Sequence, residues 1–334
     1  MMDDSSDRPL SALERVRYLA EAAVFFAFIG LFRLMGLDGA SAVGGFIGRN
    51  VFYRAGVTDR ARTNLKAAFP DKTDEAIERI VRAMCDNLGR TVAEYAHLDK
   101  ISVLGPDARI SVSGFERAQE AIGRGKGAIF FSGHFGNWEV MPFIAAQLGY
   151  EAAEVYRPQN NPFVDRWLVR QRSKNGPKDQ VAKGPRGTRR IFTLLRRGKT
   201  ICLLVDQKTN EGVPALYFGR EAMTTPAPAV LALKLGSALV PAQIERLEGS
   251  RFRISIHPAI EFSPSGDHDR DVLDLTAALT RKIEEMVREQ PSQWLWIHRR
   301  WPTARDQDQI PSKYAAQVLG GAGVAVDREG SSLT

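Results

Sequence analysis

The chain has 334 residues, with 46 Lys and Arg against 39 Asp and Glu, a formal net charge of +7, and 44% hydrophobic residues. That composition suits one large packed α/β domain or two small ones, and no internal repeat or low-complexity tract interrupts it. Two distant cysteines, Cys85 and Cys202, with no Cys-x-x-Cys spacing, leave a disulfide framework and a cysteine zinc site unsupported, and a reducing compartment is natural. The basic balance suits an anionic partner: nucleic acid, an acidic membrane or an acidic protein.

Residues 1–18 read as a polar N-terminus with no cleavable signal. Residues 19–48 read as a membrane anchor, interfacial or shallowly inserted. Residues 22–32, AAVFFAFIGLF, are uncharged and apolar on every side of a helix, yet shorter than the ~18 residues of a clear span. Arg33 has a stem long enough to snorkel to headgroups. Residues 59–69 predict a helix that stops at Pro70. Thr73 then caps a second helix, with Asp74 and Glu75 in its first turn and Ile77, Ile80, Val81, Met84 and Leu88 at helical spacing.

From residue 110 short β-rich runs (128–131, 152–156, 201–205, 238–244, 252–257) alternate with helical patterns (137–148, 162–174, 187–197, 227–236, 271–289). Such alternation predicts an α/β layered fold with a largely parallel or mixed central sheet. One folded unit is bounded at 55–310, and the Gly/Ala/Ser-rich stretch 315–334 reads as a disordered tail.

The chemistry concentrates in FSGHFGNWEV, residues 131–140. His134 ends a strand between Gly133 and Gly136, and Glu139 follows five residues on. If His134 precedes a helix and Glu139 lies in its first turns, the carboxylate fixes the imidazole tautomer and the free ring nitrogen takes a proton. Ser132 lacks the Gly-x-Ser-x-Gly elbow, and neither cysteine has a base nearby, so a covalent acyl-enzyme is not expected. The segment RRGKT (196–200) lacks the first glycine of a phosphate-binding loop and runs into a strand. His97, His257, His268 and His298 have no metal-ligand spacing, and no metal site is expected.

Six segments in order carry a resemblance: SGHFGNWE, NLKAAFP (64–70), NLGRTVAEY (87–95), VYRPQNNPFVDR (155–166), the stretch from RRGK through ICLLVDQ to MTT (196–225), and PSQWLWIHRRW (291–301). Over about three-quarters of its length the chain resembles the lipid A biosynthesis acyltransferases of the lysophospholipid acyltransferase superfamily. The resemblance implies a glycerol-phosphate-acyltransferase-like layered fold, with a mixed sheet flanked by helices and an N-terminal membrane-anchor helix. It also implies transfer of a fatty acyl chain from an acyl carrier protein thioester to a hydroxyl of an acylated lipid A precursor. His134 would be the general base oriented by Glu139, no cofactor or metal would be needed, and the partners would be the carrier protein and anionic inner-membrane lipids at the cytoplasmic face, not nucleic acid.

Arg157 and Arg172 are then candidate clamps for the acceptor's phosphates, because guanidinium binds phosphate bidentately. Asp206, at a strand end, and Gln207 complete the substrate-binding set, while RRGK (196–199) and HRRW (298–301) are candidate docking patches. Trp294 and Trp296 are expected in the core. The oxyanion donors stay open between backbone N–H groups near residues 133–135 and an arginine. The alternative acceptors are a glycerophospholipid or a phosphoinositide mannoside-type glycolipid. A hydrolase and a non-catalytic anionic-lipid binder are the readings from other classes.

Overall fold

In the computed structural model, residues 11–209, 212–302 and 311 are described. The expected tail 315–334, most of the polar residues 1–18 and the end of the 55–310 unit lie outside those residues in whole or in part.

The apolar N-terminal segment forms two helices, α1 (Ala12–Leu34) and α2 (Gly36–Asn50), broken at Gly36 with φ +68°. Ser11 caps α1 through a capping box with Glu14. Among the described residues no helix is long and apolar enough to cross a membrane. The small residues of α2, expected against lipid, instead meet α4 (Asp74–Glu94). A Cβ on Gly48 would lie 2.0 Å from the Cys85 carbonyl oxygen, and one on Gly89 would lie 2.1 Å from that of Gly44. The two backbones cross too closely for any side chain, so this half of the segment belongs to the folded body. Helix α1 keeps a different surface, with Leu13, Val16, Val24, Leu31 and Leu34 exposed. Arg33 does not reach outward; its guanidinium pairs with Asp99 at 2.6 and 2.7 Å.

Helix α3 (Thr58–Ala68) ends before Pro70, and Thr73 caps α4 by accepting from the Ala76 N–H, as their sequences predict. The core is a seven-stranded sheet in the order β1-β9-β8-β2-β5-β3-β4. Its strands are β1 (Ile110–Ser113), β2 (Ala128–Ser132), β3 (Ala152–Tyr156), β4 (Asp179–Ala182), β5 (Thr200–Leu204), β8 (Ala238–Arg246) and β9 (Phe252–Ile256). Only β8 and β9 pair antiparallel, so the sheet is mixed. All five β2 residues are buried, which is how a central parallel strand covered on both faces reads in sequence. A separate hairpin joins β6 (Val213–Tyr217) to β7 (Arg220–Thr224) and was not read from the sequence.

Helices α5 (Phe115–Gly123), α6 (Phe143–Gln147), α7 (Pro162–Asn175), α8 (Pro185–Arg196), α9 (Ala227–Leu235) and α10 (His268–Glu289) cover the sheet. The helix expected over 137–148 is shorter. A 3-10 turn occupies Trp138–Val140, Pro142 intervenes, and α6 occupies only the second half.

Candidate active site

Parallel strands bring their C-terminal residues to one edge of the sheet, where α/β sites collect. The register decides who meets there. Ser132 of β2 pairs with Leu204 of β5, so two residues further on His134 faces Asp206. Tyr156 of β3 pairs with Ala182 of β4, so Arg157 and Lys183 emerge side by side. These four residues come from four strand ends separated by up to 72 positions, and three of them line one cavity of about 380 Å³ with Glu139, Arg172, Gln207 and His298.

Asp206, not Glu139, holds the histidine. Its Oδ1 takes the His134 Nδ1 at 2.8 Å, and its Oδ2 accepts the His134 main-chain N–H at 2.7 Å and the Trp294 indole N–H at 2.7 Å. Burial opposes the Asp206 charge, but the His134 imidazole and these hydrogen bonds keep the carboxyl far below its ordinary range. An ionised carboxylate on Nδ1 makes that nitrogen the protonated one, so Nε2 presents its lone pair to the cavity. Gly133 makes the contact feasible: a Cβ there would lie 2.8 Å from the Phe135 ring and 3.0 Å from Asp206 Oδ2.

The expected Glu139–His134 pair is therefore replaced by a different arrangement. Glu139 Oε2 accepts from Arg172 Nε at 2.5 Å, while its Oε1 accepts from Arg172 Nη2 at 2.8 Å and from the Tyr95 hydroxyl at 2.6 Å. Burial opposes this carboxylate too, but Arg172 lowers its pKa overall. The bidentate pair occupies the guanidinium that was expected to clamp phosphate, and Arg172 is only 6% exposed. Beside it, burial and then the Glu139 charge push the Glu154 carboxyl up to about 7; Gln180 donates to it at 3.1 Å. Arg157 stays exposed at the cavity wall, and the exposed Lys183 beside it is not evident from the sequence.

The segment 133–137 is held from three sides. Asn87 and Thr91 of α4 donate to the Gly136 carbonyl at 2.9 and 3.0 Å, and Asn137 donates to Glu94 at 2.9 Å. Arg246, at the end of β8, closes a buried ion pair with Glu94 and donates to Asn87 at 2.8 Å. From the C-terminal side, the Leu295 N–H donates to the His134 carbonyl at 3.1 Å and the Gly136 N–H to that of Gln293 at 3.1 Å. This closing segment also sets His298 beside His134, with ring centroids 5.1 Å apart. Trp294 and Trp296 are fully buried as expected, but of HRRW only Arg299 is exposed: Arg300 is 1% exposed and stacks 4.8 Å from the Tyr217 ring, and Trp301 is buried. Arg196 and Arg197 remain exposed. Burial raises both thiols, Cys85 to about 11 and Cys202 further, so neither is a thiolate near neutrality.

A family model described as bacterial lipid A biosynthesis acyltransferase matches residues 11–303. The chain is 27% identical over 265 residues to the lipid A biosynthesis lauroyltransferase of Escherichia coli, covering 75% of this chain and 80% of that protein. It is 24% identical over 251 residues to the palmitoleoyltransferase of the same organism, covering 73% and 78%. It is also similar to the phosphatidylinositol mannoside acyltransferase of Mycobacterium tuberculosis, 23% identical over 259 residues, covering 76% and 80%.

Proposed function

Since the chain belongs to the bacterial lipid A biosynthesis acyltransferase family, we propose that it moves a fatty acyl chain from an acyl carrier protein thioester to a hydroxyl of an acylated lipid A precursor. His134 is the general base and Asp206 the carboxylate that orients it. The observation that carries this reading is His134 Nδ1 fixed on buried Asp206 at 2.8 Å while the ring borders the open cavity. The acceptor hydroxyl gives its proton to Nε2 and its oxygen attacks the thioester carbonyl. Asp206 offsets the imidazolium charge. On collapse the C–S bond breaks and the leaving thiolate takes the proton back.

Arg157 and Lys183 are the cations at the cavity suited to the acceptor's phosphates. Glu139 and Arg172 neutralise each other and, with the Tyr95 hydroxyl on Glu139, brace one wall of the cavity. An apolar groove of about 420 Å³, lined by Phe25 and Phe28 of α1 and Val164 and Leu168 of α7, shares Tyr95 and Gln159 with the cavity and suits a hydrocarbon chain. The exposed apolar face of α1, with Arg15 and Arg17 also exposed, lies on the cytoplasmic leaflet of the inner membrane rather than through it. The likeness to a phosphatidylinositol mannoside acyltransferase keeps a phosphoinositide mannoside as the second acceptor.

The test is turnover of an acyl carrier protein thioester by the purified full chain with no acceptor, with a lipid A precursor, or with a phosphoinositide mannoside. Transfer to the first acceptor is expected, and His134→Ala lowers it roughly 10²–10⁴-fold in a folded protein. Thioester hydrolysis without acceptor dependence, or near-normal transfer by His134→Ala, overturns the reading.

A further inference from the structure

We propose that the side-chain amide of Gln207 donates the hydrogen bond that stabilises the tetrahedral oxyanion, and that His298 holds this amide in place. The proposal rests on the acyl-transfer reading above. Gln207 follows Asp206 beyond the end of β5, and its Nε2 lies 3.2 Å from His134 Nε2 and 3.2 Å from His298 Nε2. Because Asp206 takes the proton-bearing Nδ1 of His134, the group facing the basic Nε2 must be a donor, which is the amide nitrogen and not its oxygen. The two amide hydrogens then serve the two imidazoles, one each.

An acceptor hydroxyl has to take the His134 lone pair in order to be deprotonated. Its arrival displaces one Gln207 N–H from Nε2 while the other stays on His298. The freed N–H is therefore left beside the attacking oxygen. As that oxygen bonds to the thioester carbonyl carbon, its proton passes to Nε2 and the carbonyl electron pair moves onto the carbonyl oxygen. An oxyanion donor is needed at about 2.7–3.1 Å from that atom.

The backbone donors of His134 and Phe135 are occupied, and Arg172 is largely so. The His134 N–H donates to Asp206 at 2.7 Å and the Phe135 N–H to the Gly133 carbonyl at 2.9 Å, while Arg172 engages Glu139 through Nε and Nη2 and keeps only a buried Nη1 without a partner. Gln207 differs from these in being a donor whose present acceptor is the very atom the substrate claims.

The experiment measures kcat and KM of the full chain with a carrier-protein thioester and a lipid A precursor, for wild type, Gln207→Met, Gln207→Glu, His298→Phe and the Gln207→Met/His298→Phe double variant. Thermal unfolding accompanies each. Both Gln207 variants are expected to lose about 10²–10³ in kcat with KM changed less than about threefold. Having two of them keeps the test alive if one misfolds. His298→Phe, acting through Gln207, is expected to lose about tenfold, and the double variant to be no slower than Gln207→Met within about threefold, because residues acting as one unit are not additive. A Gln207→Met enzyme within about fivefold of wild-type kcat, a loss carried by KM, or a double variant slowed by the product of the single effects overturns the assignment. Absence of transfer by wild type overturns the acyl-transfer reading, and this proposal with it; the Gln207 variants bear on the proposal alone once wild type turns over.

Discussion

Replacing Asp206 with asparagine is expected to lower kcat by about 10³ while the fold persists. The carboxylate contacts His134 Nδ1 at 2.8 Å and is 2% exposed, so it meets the imidazolium that forms in the transition state with little solvent between them. Unit charges ~4 Å apart at an effective dielectric of ~20 attract by ~4 kcal/mol. Each ~1.4 kcal/mol is tenfold in rate, which gives about 10³. The amide also offers N–H where Oδ1 accepted, which favours the tautomer with Nε2 protonated and removes the base. Three donors converge on this carboxylate, so the variant loses about 1–3 kcal/mol of stability as well. The assay is transfer from a carrier-protein thioester at fixed acceptor, scaled to the folded fraction from denaturant unfolding. Turnover within tenfold of wild type would refute the claim that Asp206 carries the orienting role.

Glu139→Gln is expected to act first on stability: it leaves the Arg172 guanidinium buried without its bidentate partner, a loss of about 3–5 kcal/mol readable in urea unfolding. An unchanged midpoint with lost activity would return Glu139 to a direct chemical role. Glu154, pushed up to about 7, gives a stability contribution that is complete below its unfolded value near ~4.3 and lost as pH rises through about 7. The unfolding free energy should therefore fall by about 1–3 kcal/mol between about pH 5 and 8, and Glu154→Gln should flatten that dependence; equal slopes in both proteins would count against it. Leu31→Glu/Leu34→Glu, at positions 51% and 86% exposed, should reduce sedimentation with anionic vesicles severalfold without changing the unfolding midpoint. Undiminished sedimentation would remove α1 from the membrane contact. Deleting everything before residue 59 is a poorer test, since it strips α2 from α4.

Much of the site was legible along the chain because it sits where local signals are strongest. The buried run of β2, the glycine after it and the strand-end position of Asp206 are properties of a few consecutive residues, and the six family-like segments mark the same places. The pairing of His134 was not legible, because Glu139 is five residues away and Asp206 is 72. Only the register of β2 on β5 brings the distant carboxylate within 2.8 Å. Arg172 has the same history: in VRQRSK it reads as a charge for solvent or phosphate, and its partner is decided by how α7 packs over the turn carrying Glu139.

The N-terminal segment marks the limit from the other side. Hydropathy determined that residues 19–48 must leave water, and that much holds for α2. Whether lipid or protein receives an apolar glycine-rich helix is not a property of that helix. For α2 the receiver is Gly89 on α4, 41 to 45 residues beyond Gly48 and Gly44, where two backbones meet at a separation no side chain permits. The sequence by itself determined which residues seek burial and which strand ends gather polar side chains. The tertiary structure decided which of them touch, because hydrogen bonds and ion pairs act over a few ångströms and the chain distances that separate these partners are closed only by the sheet and the helix crossings.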